Sequence, residues 1–272
     1  MSTSQIDKTF AGSIPRRYED YFVPLIFAPY ARDLARRVAS ARPGRVLEIA
    51  AGTGAVTRVL RGLLPASTTI IATDLNPAML DTARQICTAG TVEWQQADAM
   101  ALPFEDASFD AVVCQFGAMF FPDKPKAYAE VRRVLRPGGT FFFNVWDRIE
   151  DNEFADVATV ALALLCPDDP PRFMRRTPHG YHERAQIERD LRAGGFTAAP
   201  RIETVTERSR AASARDPAIA MCEGSPLRSE IEARDPGRLA EAVDACTGAI
   251  ARRFGAGAVD GKIQALVIEV ER

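Results

Sequence analysis

The stretch Arg45-Val46-Leu47-Glu48-Ile49-Ala50-Ala51-Gly52-Thr53-Gly54-Ala55-Val56-Thr57 decides the fold. A short apolar run ends in Glu48 and a turn of small residues follows. Val56, Val59, Leu60, Leu63 and Leu64 then recur at helical spacing. Strand, tight turn and helix make the opening of a nucleotide-binding α/β unit. Glycines in such a turn let a ligand approach the backbone where a Cβ would block it. Twenty residues beyond Gly54, the run Thr69-Ile70-Ile71-Ala72-Thr73-Asp74 closes on a carboxylate. An acid at a second strand end, about 20 residues on, is where these units hold ribose hydroxyls. The two strand ends predict an adenosine-like ligand.

Two positions narrow its chemistry. A dinucleotide site asks for Gly or Ala three residues after Gly54, and the chain has Thr57. Glu48 at the turn would repel a pyrophosphate and favours a ligand carrying positive charge. No G-x-x-x-x-G-K-[ST] occurs, which removes a P-loop. A nicotinamide-dependent oxidoreductase is therefore the weaker alternative, and a cationic nucleoside the stronger.

Four blocks, taken together, resemble the class I S-adenosylmethionine (SAM) methyltransferases. They are Val46–Gly54, Gln96-Ala97-Asp98-Ala99-Met100-Ala101-Leu102-Pro103-Phe104, Ser108-Phe109-Asp110-Ala111-Val112-Val113 and Val134-Leu135-Arg136-Pro137-Gly138-Gly139-Thr140. The likeness is to the type 11 branch that includes the ubiquinone/menaquinone-biosynthesis enzymes, and it is strong over residues 44–148. It implies a Rossmann-like α/β fold: a seven-stranded, mostly parallel sheet with an antiparallel last strand and helices on both faces. N-terminal helices and a helical cap insertion complete it. The expected organisation is a single domain over 1–272, with an N-terminal helical lid at 13–40 and a cofactor-binding core at 44–148. An acceptor-side region fills 149–272 and holds the last two strands, with the insertion at 211–254.

The resemblance also assigns roles. SAM is the cofactor and S-adenosyl-L-homocysteine the product. Glu48 organises the turn and the cofactor's amino group, with Ala50, Gly52 and Gly54 forming the turn itself. Asp74 accepts from the ribose hydroxyls, Leu75 and Met79 flank the adenine, and Asp98 with the Ala99 amide reads its edge. Gln115 and Phe116 stand where cofactor and acceptor meet, and Tyr18 or Arg17 reaches the cofactor carboxylate. One position departs from the family: Ala50 replaces its first glycine, a mild change if φ there is negative.

Methyl transfer from a sulfonium is an in-line displacement that needs alignment and desolvation, and a base only when the acceptor must lose a proton. The two histidines, His179 and His182, compete for that role with Tyr18, Tyr21 and Asp147, and no catalytic residue is assigned. A SAM-binding sensor or scaffold without turnover would carry the same cofactor residues.

Composition sets outer limits. With 272 residues, 47% hydrophobic and 26% charged, the chain can bury a full core. A net charge of −2 gives no long-range attraction to nucleic acid or anionic membrane. The five cysteines are widely spaced with no C-x-x-C, so neither a metal knot nor a disulfide framework is expected. No apolar run approaches a membrane span and no signal core opens the chain, which makes the cytoplasm the expected location. A partly hydrophobic small molecule, such as a quinone, phenol or lipid-like metabolite, is the expected acceptor. Nucleic acid and stable membrane insertion are not expected, and the oligomeric state is left open.

Locally, two N-terminal helices broken by Pro24 and Pro29 are expected, after flexible residues 1–12. Strands fall near 45–49, 69–74, 91–95, 109–114 and 139–146, and helices near 54–63, 77–86 and 124–135. Arg136-Pro137-Gly138-Gly139 reads as a helix stop and turn. A helix over 151–166 precedes an irregular stretch to His182 and a helix from Glu183 to Ala193. Strands are then expected at Arg201–Arg208 and Lys262–Glu271.

Overall fold

The structure is a computed structural model describing residue 10 and residues 12–272. Most of the segment expected to be flexible lies outside the described residues. The sheet has seven strands in the order β3-β2-β1-β4-β5-β7-β6. These are β1 (Arg45–Glu48), β2 (Thr69–Asp74), β3 (Glu93–Gln96), β4 (Phe109–Gln115), β5 (Leu135–Trp146), β6 (Arg201–Ala211) and β7 (Val259–Glu271). Strands β1 to β5 pair in parallel, and β7 runs antiparallel to β5, with Phe143 opposite Ile268. The strand order reverses between β1 and β4, which in an open parallel sheet opens a crevice at the carboxyl ends.

The chain divides into two compact units, and β6 and β7 run through both. One holds Ala28–Trp146, Tyr181–Val205 and Ala265–Arg272. Its strands read as continuous apolar runs because both faces are covered: Leu47, Ile71 and Val112 are buried on one face, and Val46, Ile70, Ala111 and Val113 on the other. Against them pack Leu34, Ala35 and Val38 of α2 (Ala28–Ser40) and Val56 and Leu60 of α3 (Ala55–Leu63). The i, i+4 spacing of these pairs puts each on one helix face. Helix α4 (Pro77–Ile86) starts at its expected proline, and α5 (Lys124–Val134) is capped by Asp123, whose carboxylate accepts the Lys126 amide at 3.0 Å. Helix α8 (Arg184–Ala193) belongs to the same unit.

The other unit holds the described residues up to Phe27, with Asp147–Gly180 and Thr206–Gln264. Here α6 (Glu153–Leu165) packs on α11 (Leu239–Phe254), with α9 (Arg215–Glu223) and α10 (Leu227–Arg234) beside them. A one-turn helix α7 (Phe173–Arg176) interrupts the stretch expected to be irregular. Among the described residues no helix is long and apolar enough to cross a membrane.

Two local expectations are corrected. Residues 14–40 do not break at Pro24 or Pro29. Helix α1 (Ile14–Arg17) leads into a π-helical stretch, Tyr18–Phe27, that contains Pro24 and continues directly into α2, with Pro29 in its first turn. The wider π ladder absorbs the register change that a missing N–H forces, so the chain stays helical. Arg136–Gly139 does end a helix, but as a bulged start of β5 rather than a separate turn. Phe109 pairs with Leu135 and Ala111 already with Thr140, so Asp110 alone faces the intervening residues. Arg136 Nη1 donates to Asp110 Oδ1 at 2.5 Å, and Asp110 Oδ2 accepts the amides of Gly44 and Arg45 at 2.9 and 2.8 Å.

Candidate cofactor and methyl-transfer site

The carboxyl ends of β1, β2 and β4, with the loop after β3, bring together eleven of the expected cofactor residues. Glu48, Ala50, Gly52, Gly54, Asp74, Leu75, Met79, Asp98, Ala99, Gln115 and Phe116 all belong to the same unit. Tyr18 belongs to the other unit, where its ring stacks on Phe27 with centroids 4.9 Å apart. Arg17, its alternative, pairs there with Glu223 at 3.0 Å.

Glu48 is buried, 2% exposed, and its Oε2 accepts the Thr57 hydroxyl at 2.5 Å. Burial pushes this carboxyl up to about 8, against the pull of the Thr57 hydroxyl and the Arg58 charge. Glu48 is therefore neutral at pH 7, and a cation placed beside it would drive its ionisation. Thr57, which argued against a dinucleotide site, is the partner that holds Glu48 in place.

The turn is stapled to the next strand. Asp74 Oδ2 accepts the Gly52 amide at 2.8 Å, while Oδ1 accepts the Asn76 amide at 2.8 Å. Burial raises the Asp74 carboxyl, and the amides of Asn76 and Gly52 counter it by donating to the charged form. Ala51 N donates to Thr73 O and Ile49 N to Val113 O, so the turn is bonded to both neighbouring strands.

Ala50 carries φ +53°, which corrects the expectation of a negative value. In the left-handed region an L side chain crowds the following carbonyl, at a cost of roughly 1–2 kcal/mol. The family's glycine was needed here, and this chain meets the cost. At Gly54, with φ +80°, an added Cβ would meet the Trp94 ring, 2.8 Å from Cη2.

Beyond the turn, Leu75 is 44% exposed beside Asp74, whereas Met79 is only 3% exposed and packs into the core. Asp98 Oδ1 accepts the Met100 amide at 2.9 Å, which orders the loop carrying Ala99. After β4, Phe116 has φ +50° and is held from β5 on two sides. Its amide donates to Asn144 Oδ1 at 2.9 Å, and its ring stacks on Trp146 at 3.8 Å and 7°. Tyr30 meets Phe116 edge-on at 5.3 Å and Trp146 at 5.4 Å. Strained backbone of this kind persists only where the surroundings over-determine it, and it clusters at functional sites. Asn144, Trp146 and Tyr30 were missed by sequence reasoning. Asn144 carried a signal, being the one polar side chain in Phe141-Phe142-Phe143-Asn144-Val145-Trp146.

These residues suit an adenosyl ligand. Thr53 Oγ1 and Gln115 Oε1 are buried without a hydrogen-bond partner among the described residues, one in the turn and one at the end of β4. Buried polar atoms are rarely left unsatisfied, and Leu75 adds an exposed apolar side chain next to Asp74.

The base candidates fall in both units. His179 is buried, with Nδ1 2.8 Å from the Asp147 carbonyl oxygen, and Tyr21 lies 5.7 Å below the Arg17 guanidinium. Both belong to the unit that holds Tyr18. His182 lies in the sheet-bearing unit, its Nε2 3.3 Å from Glu183.

Residues 47–143 match the family model described as "Methyltransferase domain". They form a methyltransferase domain. Demethylmenaquinone methyltransferase of Deinococcus radiodurans is 43% identical over 111 residues, 38% of this chain and 46% of that protein. The ubiquinone/menaquinone biosynthesis C-methyltransferase of Hahella chejuensis is 44% identical over 98 residues, 35% of this chain and 39% of that protein. The chain thus spans less than half the length of these curated relatives. Among solved structures, phosphoethanolamine N-methyltransferase 2 of Haemonchus contortus in complex with S-adenosyl-L-methionine has a TM-score of 0.57 at 18% identity. That likeness covers 95% of this chain and 56% of that one, and shows the shared fold. The methyltransferase domain contains the turn after β1, Asp74, the Asp98 loop and Phe116.

Proposed function

We propose that this chain is a SAM-dependent methyltransferase of a small, partly hydrophobic acceptor with a phenolic or quinol-like ring. The observation that carries the reading is the staple between Asp74 and Gly52, which puts a buried acid at the end of β2 against the small-residue turn after β1. Asp74 would take the ribose hydroxyls and Leu75 one face of the adenine, with Asp98 and the Ala99 amide at its edge. Glu48 would answer the cofactor's positive charge. Gln115 and Phe116 would stand at the methyl. SAM supplies the activated methyl group. The protein's own work is to align the acceptor and exclude water.

The acceptor class is supported by the quinone-pathway names of the relatives that share the domain and by the aromatic group Tyr30, Phe116 and Trp146 beside the end of β4. Phenolic acceptors lose a proton on methylation. His179, His182 and Tyr21 are the base candidates, His179 being the most buried of the three. The test is transfer of labelled methyl from SAM to a panel of hydroxylated naphthalenes and benzoquinols, with phosphoethanolamine as an amine control. Label in the phenolic products supports the proposal. Label in the amine alone would replace the acceptor class, and binding without transfer would favour a SAM sensor or scaffold.

A further inference from the structure

Ala50 and Gly117 hold each other's expected residue type. Ala50 has φ +53°, a conformation glycine adopts freely. Gly117 has φ −98°, open to any residue. Glycine thus stands where the backbone does not ask for it, and alanine where it does. Contact explains the exchange. A Cβ on Gly117 would lie 2.5 Å from Ala50 Cβ and 2.8 Å from Cys114 Sγ. The Ala50 methyl fills the space a side chain at 117 would need.

That methyl joins two turns. Ala50 opens the turn that carries Gly52 and Gly54, and Gly117 follows Gln115 and Phe116. From β5, Asn144 and Trp146 fix the Phe116 amide and ring. From β1, the Ala50 methyl bears on the next residue. Strain kept at 50 is matched by a contact that glycine could not make.

We infer that Ala50 is a positioning residue whose methyl, seated against Gly117, sets the spacing between the turn after β1 and the turn after β4. The inference rests on reading the first turn as the adenosyl site. Its consequence is that the methyl can be moved from one turn to the other but not removed or doubled.

The test compares the wild type, Ala50→Gly, Gly117→Ala and the double variant. Each is titrated calorimetrically with S-adenosylhomocysteine, with thermal unfolding recorded separately. Tryptophan emission is followed as well, because Trp146 stacks on Phe116. Ala50→Gly should unfold no earlier than the wild type yet bind about fivefold more weakly, a split that a purely structural role would not produce. Gly117→Ala should bind about tenfold or more weakly and shift the emission. The double variant should recover to within about twofold of wild type and restore the emission, with the Cys114 thiol turning aside. If Gly117→Ala does not fold, recovery in the double variant carries the same information. Wild-type affinity in Ala50→Gly, or a double variant no better than Gly117→Ala, would overturn the inference. A wild type that binds no S-adenosylhomocysteine would instead overturn the adenosyl reading.

Discussion

The Glu48 carboxyl at the end of β1 and the Thr57 hydroxyl in the first turn of α3 meet at 2.5 Å across the intervening turn, with Glu48 buried. Burial raises this carboxyl to about 8. The folded protein therefore keeps a proton there that the unfolded chain releases at the ordinary carboxylate value. Stability from this group is complete below that ordinary value and is lost as pH rises through about 8. Glu48→Gln stays neutral throughout. It should flatten the fall in unfolding temperature between pH 5 and 9, gaining on the order of a few kcal/mol over wild type at the alkaline end. Parallel pH profiles for the two proteins would contradict the buried neutral acid.

Asp74 combines a structural bond to Gly52 with the proposed ribose contact. Asp74→Ala should weaken S-adenosylhomocysteine binding by ~1.5–3 kcal/mol, the scale of hydrogen bonds to a charged group. Calorimetry on the folded variant reads this directly, and unchanged affinity would remove Asp74 from the cofactor.

Gly54 has φ +80° and faces the Trp94 ring. Gly54→Ala should destabilise by about 1–3 kcal/mol, through both backbone strain and overpacking. Adding Trp94→Leu should return the steric part and leave the strain. A tolerated Gly54→Ala in thermal unfolding would mean that the turn relaxes.

Arg37 on α2 binds Asp33 at 2.8 Å, Glu203 at 2.8 Å and Glu269 at 2.7 Å, with its side chain 18% exposed. Arg37→Met would leave three carboxylates facing one another and should cost about 1–3 kcal/mol in urea unfolding. Part of that loss should return in high salt, which screens the repulsion.

The core of the fold was legible because its strands are buried on both faces and its helices on one. Val46-Leu47 and Ile70-Ile71 could only be central strands, and Pro77 could only start a helix. The turn after β1 was legible for a related reason: Glu48 and Asp74 close their strands and Gly52 lies in the turn directly after β1. What escaped depends on neighbours remote in sequence. The φ of Ala50 is accommodated by Gly117, and the role of Gly54 depends on Trp94. Phe116 is held by Asn144 and Trp146, 28 residues or more away. Pro24 misled because the rule for proline in an α-helix does not carry over to a π turn. The assignment of His179 and Tyr21 to a different compact unit from His182 likewise had no signature in spacing.

The most direct test of the proposed adenosyl site is thermal unfolding of this chain with SAM, S-adenosylhomocysteine and NAD in parallel. A ligand at 100 times its dissociation constant adds about 2.7 kcal/mol of stability, a readily measured shift. The site described here predicts a shift with both adenosyl compounds and none with NAD. A shift with NAD alone, or silence from SAM and S-adenosylhomocysteine at millimolar concentration, would contradict it.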